Sequence, residues 1–510
     1  MITYIIFVDY LTTLMTRKEF KARTQQIIFL FIVISAICLS CSNPESEVVW
    51  VKKFLSLGSS SSPSCIDLNG DGILDCVIGA GLNEFDHTDS SVLAINGLNG
   101  EVLWAVGAKD QIIGSPVFID ITQDGNPDVF IGGRGAEFFA IDGNKGEVIW
   151  KYKTQDESYT PKGLMRFNFY TPQKVKDQSG DNIPDLLVAN GGNFSADPVS
   201  GNNRYPGVLA IIDSQNGKII AADTMPDGAE TYMSPVVFQK NNTTNIVYGS
   251  GGETFGGSLF LTSLDNLMNN DISESIILDQ KDGHGFIAPP TLVDVNNDLQ
   301  IDIISNWHGG EVAAIDGSDH KVLWRYLLPD TEIYASPTPG YANEDDIPDL
   351  FIQFTEGKWP NYSKAHQKVI DGGTGKIIHE TSQGCGSFST ALSIDSDNDG
   401  RSEFIYSVND FDCEGYYLGS TKFSLMRIDM SNNMKTEFLG PIKAKNTFST
   451  PWIGDINGDE KLDMILCIQY NYNDVFGYHG MNIYRLKLNW RETEKRSWLQ
   501  YLGNDQNGVY

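Results

Sequence analysis

Short apolar runs rich in Val, Ile, Phe and Leu alternate with clusters of Gly, Asn, Asp and Ser along most of the chain. That pattern predicts short strands joined by tight turns rather than helices. Four such runs recur in a fixed order. In one copy a run at 115–119 leads into a polar loop, and a second at 129–133 ends in glycine. A third at 138–141 then turns through 142–146 into a fourth at 148–152. The turn returns at 96–100, 213–217, 316–320 and 371–375. Hairpin-linked runs of this kind predict four antiparallel strands per unit.

The polar loops carry the same period. Asp67, Asn69, Asp71 and Asp75 stand at positions 1, 3, 5 and 9 of a nine-residue segment, as do Asp120, Thr122, Asp124 and Asp128. Asp177, Ser179, Asp181 and Asp185 form a further copy, and Asp294, Asn296, Asp298 and Asp302 another. Asp395, Asp397, Asp399 and Glu403 follow, then Asp455, Asn457, Asp459 and Asp463. A degenerate copy keeps Asn343, Asp345 and Asp349 but begins with Tyr341, and around 234–239 the acids are gone. First positions at 67, 120, 177, about 239, 294, 341, 395 and 455 define eight units of about 55 residues. They fill 47–489 and leave little room for another domain. The expected fold is all-β, an eight-bladed β-propeller of four-stranded antiparallel blades. The last unit lacks a fourth strand, and 48–54 reads as the missing one. Pairing this N-terminal strand with the last blade would close the ring and remove its open edge. The tail, 490–510, is expected to pack on the outside of the propeller.

The acidic segments resemble FG-GAP (VCBS) repeats, the calcium-binding units of integrin α-chain propellers. The third and fourth runs, at 94–104 with Trp104 and in the copies at Trp150 and Trp324, resemble quinoprotein-type (PQQ-like) propeller repeats. Oxygen ligands at alternating loop positions suit a hard cation, and Ca²⁺ accepts irregular geometry more readily than Mg²⁺. Positions 1, 3, 5 and 9 would supply side chains and position 7 its backbone carbonyl. Three acids within nine residues repel one another unless a cation lies between them. Six or seven structural Ca²⁺ are expected, with none in the fourth unit.

Residues 1–40 read as an export signal. Arg17, Lys18, Lys21 and Arg23 precede an apolar run at 27–39, too short to span a bilayer and suited to a signal-peptide core. Met15 is a second candidate start. Leu39-Ser40-Cys41 resembles a bacterial lipobox, with Cys38 where leucine is usual. The resemblance implies lipidation of Cys41, a tether at 41–46, and a cell-envelope lipoprotein, with the outer membrane as the expected address. Contact with membrane is expected only through that anchor. In an exported chain Cys65 with Cys76 and Cys385 with Cys413 are candidate disulfides, and Cys467 a buried thiol. Reduced core cysteines are the alternative.

Charge narrows the function. The chain holds 66 Asp+Glu against 37 Lys+Arg, a net −29, which argues against a nucleic-acid partner. Most of this surplus sits at the loop positions named above. No nucleophile motif, zinc signature or phosphate-binding glycine loop is present. The seven histidines show no ligand spacing. His320 and His379 fall at turn or outer-strand positions, while His284, His308 and His479 fall in loops of the opposite rim. Those loops are long and aromatic, including 159–170, Tyr205, Trp307, Trp359, Tyr362, Tyr416, Tyr417, Tyr470, Tyr472 and Tyr478. Long loops on a rigid scaffold suit binding. The expected function is a binding or scaffolding module for a protein or glycan. The alternatives are a PQQ-dependent dehydrogenase, against which the missing Cys-Cys pair counts, and a calcium-dependent rhamnogalacturonan-type lyase.

Overall fold

The computed structural model describes residues 46–510 apart from 194, 198–200, 360, 387, 411–420, 447, 471–479 and 492–495. Eight antiparallel sheets form an eight-bladed β-propeller. Blade one comprises Ser64–Ile66, Asp75–Gly79, Thr88–Ile95 and Val102–Ala108, from the axis outward. Blade two (Val117–Ile119 to Val148–Lys151), blade four (Val236–Lys240 to Ile276–Lys281) and blade five (Thr291–Val293 to Val322–Leu327) repeat it. Blade seven runs from Leu392–Ile394 to Met434–Ile442. In blades three and six an extra two-residue strand, Asn168–Phe169 and Thr331–Glu332, extends the innermost edge before the proline.

The middle strands read as unbroken apolar runs because each sheet is packed on both faces by its neighbours. Leu186, Leu187, Val188 and Ala189 are all fully buried, alternate residues facing blade two and blade four. Tryptophans of the outer strands tie blade to blade. Trp104, Trp150 and Trp324 donate Nε1–H to the carbonyls of Gly143, Ser214 and Gly372 in the next blade's turn (2.6, 2.8 and 2.7 Å). That turn ends in glycine with positive φ. At Gly146 (φ 72°) a Cβ would lie 2.4 Å from the Trp104 ring, so only glycine lets the indole in.

Ring closure follows the expectation. Ser46–Phe54 is the outer strand of blade eight, next to Met481–Leu488. Trp50 on that strand donates to Gly97 O (2.9 Å), so the N-terminal strand also supplies blade eight's tie to blade one. Blade four departs from the repeat. Its first two strands are joined by Asn241 and Asn242, both at positive φ, in a two-residue hairpin turn that replaces the acidic loop. Like blades three, six and seven it has no outer-strand tryptophan, and Lys240 Nζ donates to the carbonyl of Gly317 (2.5 Å). His320 (φ 61°) then stands where four other turns have glycine and blade seven has Asn433 (φ 57°).

Around the axis a belt of hydrogen bonds joins the innermost strands. Each backbone N–H donates to the next blade's hydroxyl: Thr450 to Ser62, Ser62 to Ser115, Ser115 to Thr171 and Thr171 to Ser234 (2.9–3.2 Å). Ser336 to Thr390 and Thr390 to Thr450 continue it (both 3.2 Å). Blade five has Pro289 at this position, with neither N–H nor hydroxyl, so the belt skips it.

The tail does not pack on the outside of the ring. It lies in the central channel, against the innermost strands. Trp498, 1 % exposed, exchanges two backbone hydrogen bonds with Ser393 of blade seven (3.0 and 2.9 Å). Leu499 accepts from Ile453 of blade eight, and residues 508–510 pair with Leu292 of blade five. Gln506 reaches Ser64 and Pro116, in blades one and two. Apolar side chains at Trp498, Leu499 and Leu502 have no other core to join, which draws the segment inward.

Candidate functional site

Two regions carry chemistry, one on each rim. The first is the set of acidic loops, each joining the first and second strands of a blade. They share one backbone path. Asp177 Oδ1 accepts from Gly180 N–H (2.7 Å), and its Oδ2 from Asn182 N–H (2.7 Å). Asp67, Asp294 and Asp455 accept from the equivalent positions, and Asp120 and Asp395 from the fifth residue on. These N–H groups hold the Asp177 carboxyl below the usual carboxylate range.

The ninth-position acids begin the second strands and are buried, between 0 and 1 % exposed, at Asp75, Asp128, Asp185, Asp302, Asp349, Glu403 and Asp463. Asp128, Asp302 and Asp349 also accept from the turn glycines Gly143, Gly317 and Gly372, so loop and turn share one rim. Burial pushes the carboxyls of Asp75, Asp349 and Glu403 up to about 7, and that of Asp302 to about 6. Asp75, beside the N–H groups of Leu68 and Gly97, is the least well hydrogen-bonded of the set. A buried carboxylate so poorly compensated fits a cation. Blade seven gathers the most acids: oxygens of Asp395, Asp397 and Asp399 lie within 4.8 Å of one another, as do those of Asp397, Glu403 and Asp429. Asp429 opens the turn of blade seven and was missed in the sequence, although its counterparts Asp142, Asp213, Asp316 and Asp371 mark the same position. In blades seven and eight a guanidinium already sits on the ninth acid: Arg427 on Glu403 (3.1 Å) and Arg485 on Asp463 (2.9 Å). The degenerate loop keeps its path, Asn343 and Asp349 both contacting the turn, without an acid at Tyr341. Cys65 and Cys76, directly paired across the strands that flank the first loop, form a disulfide. Cys385 is disulfide-bonded, Cys413 lies outside the described residues, and Cys467 is a buried free thiol.

The second region is a cavity of about 460 Å³ on the axis, at the rim formed by the loops between second and third strands and between blades. Its wall alternates aromatic rings with charge: Tyr170, Tyr232, Tyr334 and Phe448 with Glu84, Arg134, Arg204 and Glu253. Arg134 is paired with Glu84 (2.9 Å) and Arg204 with Glu230, and Arg204 stacks over the Phe255 ring (4.2 Å). Glu253, exposed at the mouth of the cavity, accepts from the Tyr334 hydroxyl (3.2 Å), and crowding by the surrounding wall raises its carboxyl above the usual range. Beneath lies a narrower space of about 120 Å³, lined by belt residues Ser62, Ser115, Thr171 and Ser234, with Tyr501 of the tail at its bottom. A further space of about 710 Å³ borders the tail, the inner strands of blades one to four and Ile301 in the acidic loop of blade five. The tail therefore stands between the two rims.

Among the aromatic loop residues, Tyr159 is exposed and Tyr205 stacks on Phe167 (5.7 Å). Trp307 donates to His284 O (2.7 Å), while Trp359 and Tyr362 sit at the end of a long hairpin, Asp349–Lys358 and Asn361–Ile370. Tyr416, Tyr417, Tyr472, Tyr478 and His479 lie outside the described residues. His284 and His308, unrelated by sequence spacing, are brought together beside the cavity, with ring centroids 5.3 Å apart.

The fold has known counterparts. The quinohemoprotein alcohol dehydrogenase of Comamonas testosteroni is similar over 90% of this chain and 79% of its own, with a TM-score of 0.57 and 11% identity. The alcohol dehydrogenase ADHIIG of Pseudomonas putida HK5 aligns over 89% and 78%, with a TM-score of 0.53 and 12% identity. A europium-containing methanol dehydrogenase aligns over 87% and 93%, with a TM-score of 0.50 and 10% identity. At such identities the likeness is one of fold. No protein-family model and no curated protein matches the chain in sequence.

The residues at the axis do not fit the cofactor of a quinoprotein. Pyrroloquinoline quinone carries three carboxylates and needs unpaired cations, whereas both guanidiniums here are neutralised by glutamates and Glu253 adds further negative charge.

Proposed function

We propose that this chain is an exported, lipid-anchored binding module, stabilised by calcium in its acidic loops, that captures a glycan in the central cavity. The observation that carries the reading is the shape and lining of that cavity. A concave space of about 460 Å³ walled by tyrosines and paired charges suits a few polar rings better than a flat protein surface. Aromatic faces cover sugar C–H groups while flanking polar groups take the hydroxyls. The glutamates at the wall disfavour acidic sugars, which directs the proposal to neutral or amino sugars and away from a lyase acting on uronates. Cys41 supplies the anchor, and the ninth-position carboxylates supply the structural Ca²⁺ sites.

Calorimetric titration of the calcium-loaded protein with neutral, amino and acidic oligosaccharides tests this. Binding of a neutral or amino sugar, weakened at least about tenfold by Tyr232→Ala, is expected. Release of unsaturated products from an acidic polysaccharide, or dye reduction with added quinone, would replace the reading with an enzymatic one.

A further inference from the structure

We propose that His284, His308 and Glu332 form a binding site for one divalent transition ion of the zinc class, on the wall of the central cavity. The site goes beyond the glycan reading and does not depend on it. A ring nitrogen from each histidine and a carboxylate oxygen of Glu332 lie within 4.8 Å of one another. The three come from successive segments of the same rim: the connection between blades four and five, the loop between the second and third strands of blade five, and the lead-in to blade six.

Each side chain is held as a ligand would be. His308 Nδ1 lies 3.0 Å from Ile333 O, and His284 Nδ1 faces Glu253 O. A carbonyl only accepts, so the proton of each ring sits on Nδ1 and the lone pair is left on Nε2. This backbone-oriented imidazole is the usual outer support of a metal-bound histidine. Glu332 is fixed by Tyr362 O–H (2.5 Å) and Trp359 N–H (3.2 Å), both donating to Oε2.

The decisive atom is His308 Nε2. It is fully buried, has no hydrogen-bond partner, and lies 3.7 Å from Glu332 Oε2. A lone pair facing a carboxylate in a buried setting calls for a cation between them. Two imidazoles and one carboxylate select zinc-like ions over calcium, whose loops on the other rim offer oxygen alone. Glu253, which supports His284, and Tyr334, against which His308 packs edge-on (4.6 Å), both line the cavity, so the ion's open side would face it.

The test is titration of the protein, held in excess calcium, with Zn²⁺ by calorimetry and with Co²⁺ by visible absorption, after metal analysis of the purified chain. One equivalent of transition ion, retained or newly bound and not displaced by calcium, is expected. The Co²⁺ form should absorb in the visible. His284→Ala, at a half-exposed position, and Glu332→Gln should each weaken binding at least about tenfold with melting unchanged. His320→Ala, on the acidic-loop rim, should change nothing. Failure to retain or bind either ion, or equal binding by both variants, would overturn the proposal.

Discussion

The two rims are built on opposite principles. On the acidic rim the candidate ligands are mostly local, held in nine-residue loops that recur with the same hydrogen bonds in most blades and are joined in blade seven by Asp429 of the turn. On the other rim nothing repeats, and the chemistry arises where distant segments converge, as His284, His308 and Glu332 do from points 24 residues apart. Repetition serves stability, since each loop closes the hairpin that carries it. Departure from repetition serves recognition, because a unique pocket needs unique loops. Blades four and five mark the crossover: blade four has lost its acidic loop, blade five its belt residue, and the histidine pair sits beside both.

Removing calcium should separate the rims most sharply. Each site held at a hundredfold excess over its Kd contributes about 2.7 kcal/mol, so chelation across several blades should lower the melting temperature substantially, and calcium but not zinc should restore it. An unchanged melting curve in excess chelator would break the comparison. Trp498→Ala, which empties the plug between the rims, should cost about 3–5 kcal/mol in denaturant titration. Reduction of Cys65–Cys76, closing only a short loop, should cost about 3 kcal/mol or less. It should also deepen the effect of chelation, because the disulfide braces the first acidic loop. A further effect concerns pH. In chelator the raised carboxyls of Asp75, Asp349 and Glu403 bind protons in the folded state that the unfolded chain has released, so stability present near pH 4 should be lost as pH rises through 7. With calcium that decline should vanish, since the ion binds the deprotonated form. Melting curves across pH with and without chelator decide it.

The regular rim was legible in the sequence because its signals are local. Asp67 to Asp463 recur in phase, the tryptophans fall at fixed offsets, and the missing strand at 48–54 could be inferred from a count of runs. The channel-filling tail could not, since 498–510 belongs to no repeat and its partners, Ser393, Ile453 and Leu292, lie in three different blades. The His284–His308–Glu332 cluster was hidden for the same reason: no spacing rule links loops that meet only once the ring has formed. Asp429 lay within reach, as the turn aspartate of its own unit, and the constancy of that position was the signal.

The belt's gap at Pro289 bears on the order of folding. Blade five receives no belt bond from either side, yet Leu292 on its inner strand pairs with residues 508–510. Ser46–Phe54, likewise, finds its place only beside Met481–Leu488. Both seams of the ring thus wait on residues from the last part of the chain, and contacts of such separation form late because the loop between them must close first. During synthesis the blades would accumulate as an open arc, and circularity, with the sealed channel and the converged histidines, would come only at the end.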